Sequence, residues 1–269
     1  MTQPLLEHLP ALAARIADAP HVLLGFDFDG TLTPIVSEPS QVKLDVGVRR
    51  MLRMAAERPR TSVAVVSGRS LADVKRHVGV PELIYVGNHG LELAGPDFAF
   101  VEPTAVRYSI DLVPLLPILR ESLANIGGVL IEDKELTIAI HHRNVAVGEK
   151  ERVFQLVQGI VSALPGSYKI ALGKEVFEIR PRASWHKGTA VAWIARRLAT
   201  PRVLTIYFGD DQTDEEAFKT LDDAVTVHVG NVATSARFHV AGPADVGYYL
   251  RWLIDSTDFK LPPSGCAAL

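Results

Sequence analysis

A chain of 269 residues with 48% hydrophobic and 22% charged side chains has material for one large domain or two modest ones with a sizeable core. Its formal net charge of -3 leaves no basic footprint, which argues against a nucleic-acid partner, and its one cysteine, Cys266, allows no intrachain disulfide. No apolar run approaches the roughly 18 residues of a spanning helix, and no basic start leads into an unbroken apolar core, so a cytoplasmic protein without membrane contact is expected.

Leu5, Leu6, Leu9, Leu12, Ala13 and Ile16 recur at helical spacing and predict an amphipathic helix. Val22 to Phe26 is then a continuous apolar run, as a buried strand requires, and it stops at Asp27-Phe28-Asp29-Gly30-Thr31-Leu32. Ligands of open α/β sheets bind beyond the carboxyl ends of strands, where Asp27 and Asp29 are expected. Leu44, Val48, Met51, Leu52 and Ala55 predict a helix ended by Pro59, and Val63 to Val66 a strand ending in Ser67-Gly68-Arg69. Strand, helix, strand in this order predicts parallel pairing with a right-handed crossover, which puts Ser67 beside Asp27. A third strand, Leu83 to Val86, runs into Gly87-Asn88-His89-Gly90-Leu91-Glu92, a turn in which backbone can approach a ligand. Leu91 to Leu93 and Phe98 to Val101 predict a hairpin around Gly95-Pro96-Asp97.

Between Pro103 and Pro181 the pattern changes. A helix from about Val106 to Asn125 precedes two strands, Val129 to Glu132 and Leu136 to His141. A helix carrying Val153, Leu156, Val157, Ile160 and Val161 precedes two more, Tyr168 to Leu172 and Val176 to Ile179. This αββαββ order suits an antiparallel sheet covered by helices, inserted as a cap into the flanking core. The expected organisation is a core of residues 1–103 and 183–269, an inserted domain of 104–182, and a loose tail from 260 to 269. The core resumes at Trp185-His186-Lys187-Gly188-Thr189 and a helix to about Leu198. Val203 to Phe208 is the next buried strand and ends in Gly209-Asp210-Asp211-Gln212-Thr213-Asp214-Glu215-Glu216. Ala224 to Val229 is expected to close the sheet, and Val246 to Ile254 to form the last helix.

Paired carboxylates at a strand end suit phosphoryl transfer: Asp27 as the nucleophile that carries an acyl phosphate, Asp29 as the acid that protonates the departing alkoxide and then activates water. Two such close carboxylates repel, and a small hard ion with oxygen ligands, Mg²⁺, would hold them together. Ser67 and nearby N–H groups can bind phosphate, or Ser67 can simply cap a helix. Arg69 can serve the site or a surface salt bridge. Lys187 lies at a helix start, where the macrodipole disfavours a cation, so an anion beside it would explain its place, though surface lysines are common. Asp210 is the expected metal ligand of the acidic loop. Asp211 and Asp214 are expected behind it, and Asp214, Glu215 and Glu216 can equally stabilise the following helix start.

Asp27-Phe28-Asp29-Gly30-Thr31-Leu32 resembles the signature of the haloacid-dehalogenase-like phosphatase superfamily, whose other motifs match Ser67, Lys187 and Asp210 in order. The resemblance implies an α/β, Rossmann-like core with a parallel sheet and an inserted α+β cap. It also implies Mg²⁺ held by Asp27, the Asp29 carbonyl and Asp210, with Lys187 and Ser67 neutralising phosphate oxygens. More narrowly, the stretches at 87–92, Ile131-Glu132-Asp133-Lys134, Gly173 to Pro181 and 209–215 resemble trehalose-6-phosphate phosphatases, as does Ala139-Ile140-His141-His142-Arg143. His142 stands where that family has tyrosine, and Trp185-His186 is a less standard approach to Lys187. The implied activity is hydrolysis of trehalose 6-phosphate, a small-molecule substrate, with a trehalose-phosphate synthase as functional partner. Ser67, Gly68, Arg69, Asn88, His89 and Gly90 would line the substrate site, and Glu132, Lys134 and Glu178 would grip the distal glucose. As residues alone, those last three could be exposed strand charges in weak pairs. A sucrose-phosphate phosphatase-like enzyme or a non-catalytic sugar-phosphate sensor remain the alternatives.

Overall fold

The computed structural model describes residues 2–36, 38–164, 168–173, 175–198 and 200–256. The expected tail, with Cys266, and Lys174 of the Gly173 to Pro181 stretch lie outside them. In chain order the elements are β1 (Gln3–Pro4), α1 (Leu9–Asp18), β2 (His21–Asp27), α2 (Val46–Ala56), β3 (Thr61–Val66), α3 (Leu71–Val78), β4 (Ile84–Gly87), β5 (Glu92–Gly95) and β6 (Phe98–Val101). Then come α4 (Pro103–Leu112), α5 (Leu115–Leu123), β7 (Leu130–Asp133), β8 (Ile138–His141), α6 (Val147–Ser162), β9 (Tyr168–Gly173) and β10 (Val176–Pro181). The chain ends with α7 (Lys187–Arg197), β11 (Val203–Gly209), α8 (Gln212–Thr220), β12 (Val225–Val229), β13 (Phe238–Val240) and α9 (Pro243–Asp255).

Among the described residues nine strands form one sheet in the order β1-β13-β12-β11-β2-β3-β4-β5-β6, parallel from β1 to β4 and antiparallel at the β5–β6 hairpin. The central strands read as unbroken apolar runs because both faces are covered. Leu24, Phe26, Val63, Val65, Ile206 and Phe208 pack into one cluster with Leu52 of α2 and Leu250 of α9. Leu23, Ala64, Val66 and Tyr207 point the other way, into a second cluster with Val191 of α7 and Phe218 of α8. Strand β2 lies between β3 and β11, so Asp27, Ser67 and Asp210 follow three adjacent parallel strand ends. This is the crevice where an open sheet takes its ligand.

Four strands form a separate antiparallel sheet, β7-β8-β10-β9, whose core joins Leu115, Leu119, Val153 and Val157 to Ile138, Ile140 and Ile179. The single helix expected from Val106 to Asn125 is two helices, interrupted at Val113 and Pro114. Pro114 and Pro117 have no N–H for the carbonyls of Ile110 and Val113, so one turn loses two helical hydrogen bonds. The first helix likewise begins later than its apolar spacing suggests: Leu5–His8 is a 3-10 turn and Pro10 stands in the first turn of α1. Leu44 is buried but lies before α2, whose N-terminus the Asp45 side chain caps. The sheet does not close at Val229, because β13 pairs with β12 and β1 with β13. Strands of three and two residues are too short for periodicity to announce them.

Candidate active site

The chain leaves β2 at Asp27 and turns sharply, with Gly30 at φ +97° and its N–H donating to Thr33 O at 2.8 Å. A side chain at Gly30 would strike the Asp210 carboxylate, since a Cβ there would lie 2.1 Å from Oδ2. Glycine is required on both counts, conformation and approach.

Asp27 is 4% exposed and Lys187 1%. Lys187 Nζ, on the first turn of α7, donates to Asp27 Oδ1 at 2.7 Å and Asp214 Oδ1 at 2.9 Å, with Asp211 Oδ1 at 3.6 Å. The anions inferred from its unfavourable helix position are these three carboxylates. Burial alone would lower the ammonium pKa; Asp211, Asp214 and Asp27 outweigh it and hold the group well above its ordinary value. Burial pushes the Asp27 carboxyl well up against the opposing pull of Lys187. Asp210 is raised to about 6 by burial and by the neighbouring Asp211 charge.

Oxygens of Asp27, Asp210 and Asp214 all lie within 4.8 Å of one another. One lysine does not balance this much buried negative charge, and an all-oxygen donor set fits a hard divalent cation. Asp214 nevertheless has its oxygens occupied. Oδ1 also accepts from Tyr207 OH at 2.7 Å, and Oδ2 accepts the main-chain N–H groups of Asp210 and Asp211 at 3.1 and 3.2 Å. Asp211 caps α8 through Thr213 N and Asp214 N, forming a reciprocal capping box with Asp214.

Asp29 points elsewhere: Arg69 grips both its oxygens at 2.7 and 2.8 Å and also donates to Asp73 at 2.8 Å. Ser67 is buried at the end of β3, and its Oγ accepts Arg69 N at 3.1 Å. The helix cap is Ser70, so Ser67 does not serve α3 that way. Asn88 and His89 both adopt positive φ, 46° and 56°, and His89 lies so close to Gly68 that a Cβ there would meet its ring at 2.4 Å. Gly90, at φ +109°, passes His186 O where a Cβ would lie 2.7 Å away.

The second sheet meets these loops through Lys134, Thr137, Glu178 and Arg180. Lys134 Nζ donates to Gly68 O at 3.0 Å and Glu178 Oε1 at 2.9 Å, while Thr137 Oγ1 donates to Asn88 Oδ1 at 3.0 Å. Glu178 is buried, but Lys134, His89 and Arg180 outweigh desolvation and hold its carboxyl well below the ordinary range. Burial, with Arg180 beside it, lowers His89 to about 4, and its Nε2 lies 2.6 Å from Arg180 Nη2 and 2.9 Å from Glu178 Oε2. Glu132 is more open and pairs with His141 Nε2 at 2.9 Å. Lys134 and Glu178 are therefore not solvated strand charges.

Sequence reasoning misses the roles of Arg180, Thr137, His141 and Tyr207, although one signal for Tyr207 is visible. Gly25 interrupts a buried apolar run, and a glycine there marks close approach by a neighbour. A Cβ on Gly25 would lie 2.7 Å from Tyr207 Cδ2, directly across the β2–β11 pairing.

The trehalose-phosphatase family model matches residues 25–244. The trehalose-phosphate phosphatase of Mycobacterium marinum is 36% identical over 242 residues, covering 86% of this chain and 60% of that protein. The chain thus spans about three fifths of the length of the curated relatives it matches. Among solved structures, a trehalose-6-phosphate phosphatase related protein superposes with a TM-score of 0.77 at 25% identity, over 86% of this chain and 96% of that one. The C-terminal domain of the C. albicans trehalose-6-phosphate phosphatase gives 0.77 at 22% identity, over 94% and 98%, and supports the fold. With its haloacid-dehalogenase-like core of mixed sheet and its inserted helix-and-strand cap, the chain belongs to the trehalose-phosphatase family.

Proposed function

We propose that this protein hydrolyses trehalose 6-phosphate to trehalose and phosphate, with Mg²⁺ as the ion and Asp27 as the transiently phosphorylated residue. The observation that carries the reading is the buried Asp27–Lys187 pair beside Asp210 at the end of the central strands, with Lys134 of the β7–β8 connection reaching the neighbouring Gly68 carbonyl. The ion is assigned to Asp27, Asp210 and the main-chain carbonyl of Asp29; when bound it draws charge from the phosphoryl oxygens. Asp27 attacks phosphorus, forming a carboxyl O–P bond as the P–O bond to the sugar breaks. Asp29 protonates the leaving alkoxide, then takes a proton from the water that hydrolyses the acyl phosphate. Lys187 and Ser67 neutralise phosphoryl oxygens as charge builds. The Arg69 clamp on Asp29 opens for the acid step, because a carboxylate held at both oxygens offers nothing to a leaving group.

Residues 104–182 act as the specificity lid, with Glu132, Lys134 and Glu178 taking sugar hydroxyls through charge-assisted hydrogen bonds. The deciding experiment is phosphate release from trehalose 6-phosphate, sucrose 6-phosphate, glucose 6-phosphate and mannose 6-phosphate, with and without Mg²⁺. Turnover of the first, dependent on Mg²⁺ and well above the others, is expected. Preference for sucrose 6-phosphate would move the protein to a neighbouring specificity, and no turnover of any would make it a sensor.

Two variants probe this assignment further. Asp29→Asn is expected to lower turnover by about 10²–10⁴-fold, the worth of a general acid and base, yet to retain slow phosphorylation of Asp27, seen by rapid-quench labelling. Complete loss of labelling would give Asp29 a different role. Glu132→Ala is expected to narrow the preference for trehalose 6-phosphate over glucose 6-phosphate by about 10-fold, as loss of one charged hydrogen bond does. Unchanged preference in a kcat/KM comparison would remove Glu132 from sugar reading.

A further inference from the structure

Tyr207 lies beneath the acidic cluster, fully buried, on the strand next to β2. Its ring occupies the space Gly25 leaves open, and its hydroxyl donates to Asp214 Oδ1 at 2.7 Å. A carboxylate offers about four lone-pair directions. Asp214 spends them on Tyr207 OH, Lys187 Nζ and two main-chain N–H groups. An oxygen of Asp214 still lies within 4.8 Å of oxygens of Asp27 and Asp210. Distance alone therefore qualifies Asp214 as a third carboxylate ligand, and its hydrogen bonds disqualify it.

We propose that Tyr207 is a positioning residue that withholds Asp214 from the metal ion, dedicating it to Lys187 and biasing the site toward a small six-coordinate cation over one of calcium size. This rests on the divalent-ion reading above. Mg²⁺ demands near-ideal octahedral geometry and keeps several waters, so an additional carboxylate brings it little. Ca²⁺ takes six to eight oxygens in flexible geometry and gains from each added carboxylate. Without the Tyr207 hydroxyl, Asp214 Oδ1 has a lone pair to offer the ion. If Asp214 turns to take it, Lys187 loses one of its two close partners, and the group that must meet the transferred phosphoryl oxygens is less firmly held.

The test is calorimetric titration of the substrate-free protein with Mg²⁺ and with Ca²⁺, for the wild type and for Tyr207→Phe, with thermal unfolding to confirm the fold. The Ca²⁺-to-Mg²⁺ affinity ratio is expected to rise about tenfold in the variant, the scale of one hydrogen bond to a charged group. With Mg²⁺ and the substrate the panel identifies, kcat is expected to fall with KM within about twofold, because Lys187 acts on developing charge. Adding Asp214→Asn to Tyr207→Phe should return the ion ratio toward that of the wild type. A ratio unchanged in folded Tyr207→Phe overturns the proposal. Should that variant not fold, Gly25→Ala, which displaces the ring and keeps the hydroxyl, must raise the ratio in the same direction, and failure to do so overturns it equally. A wild-type protein that binds neither ion refutes the ion site itself, a result distinct from an unchanged ratio.

Discussion

Asp27→Asn is expected to reduce turnover by more than about 10⁴-fold, the scale seen when an enzyme loses its nucleophile, while the protein stays folded. Asparagine keeps the shape of aspartate and can accept a hydrogen bond from Lys187, but its amide cannot form the acyl phosphate. Stability should move in the opposite sense to activity. Burial raises the folded pKa of Asp27 above its value in an unfolded chain, with Asp214, Asp210 and Asp211 adding to the shift and Lys187 opposing it. An acid shifted this way weakens the folded state once pH exceeds its unfolded pKa, since the native protein must then hold a charge it disfavours. At neutral pH the neutral amide removes that cost, so the melting temperature of Asp27→Asn without added metal should equal or exceed that of the wild type. Steady-state assay and thermal unfolding on one preparation, with mass spectrometry to exclude deamidation, check both halves. An active, undeamidated variant would refute the nucleophile.

The place of the proposed nucleophile is legible in the amino-acid sequence, because Asp27, Ser67, Lys187 and Asp210 each sit where the main-chain pattern changes. Asp27, Ser67 and Asp210 end apolar runs, and Lys187 begins a helix at the end where a cation needs a reason. Parallel connections then bring strand ends together without knowledge of any side-chain contact. Direction is not legible in the same way. Asp29 and Arg69 are 40 residues apart, and nothing local says that one will clamp the other, just as nothing local joins Lys134 to Gly68 across 66 residues. The cap contacts arise where two distinct sheets meet, so their partners are set by how the sheets pack and not by periodicity. The broken α4–α5 helix is a different kind of case. Its cause, prolines at 114 and 117, is present in the sequence, but the apolar spacing of Leu115, Leu116, Leu119 and Leu123 continues beyond the break and conceals it.

Lys187→Met removes a side chain that joins three of the site's carboxylates, and its effect should exceed that of an ordinary core substitution. Methionine nearly fills the volume and leaves little cavity, so the loss is electrostatic. Breaking a buried pair by deleting one partner typically costs about 3–5 kcal/mol, and here Asp27 and Asp214 lose their shared donor together. Chemical denaturation should therefore place Lys187→Met about 3–5 kcal/mol below the wild type without added metal. Turnover should fall by about 10²–10³-fold, the scale for losing one preorganised donor to developing charge. The double variant Lys187→Met, Asp27→Asn distinguishes this origin from simple misfolding. If the cost comes from unbalanced negative charge, Asp27→Asn must stabilise the Lys187→Met protein by more than it stabilises the wild type, a favourable coupling beyond additivity. If the two effects simply add, Lys187 is a packing residue and its carboxylates do not depend on its charge.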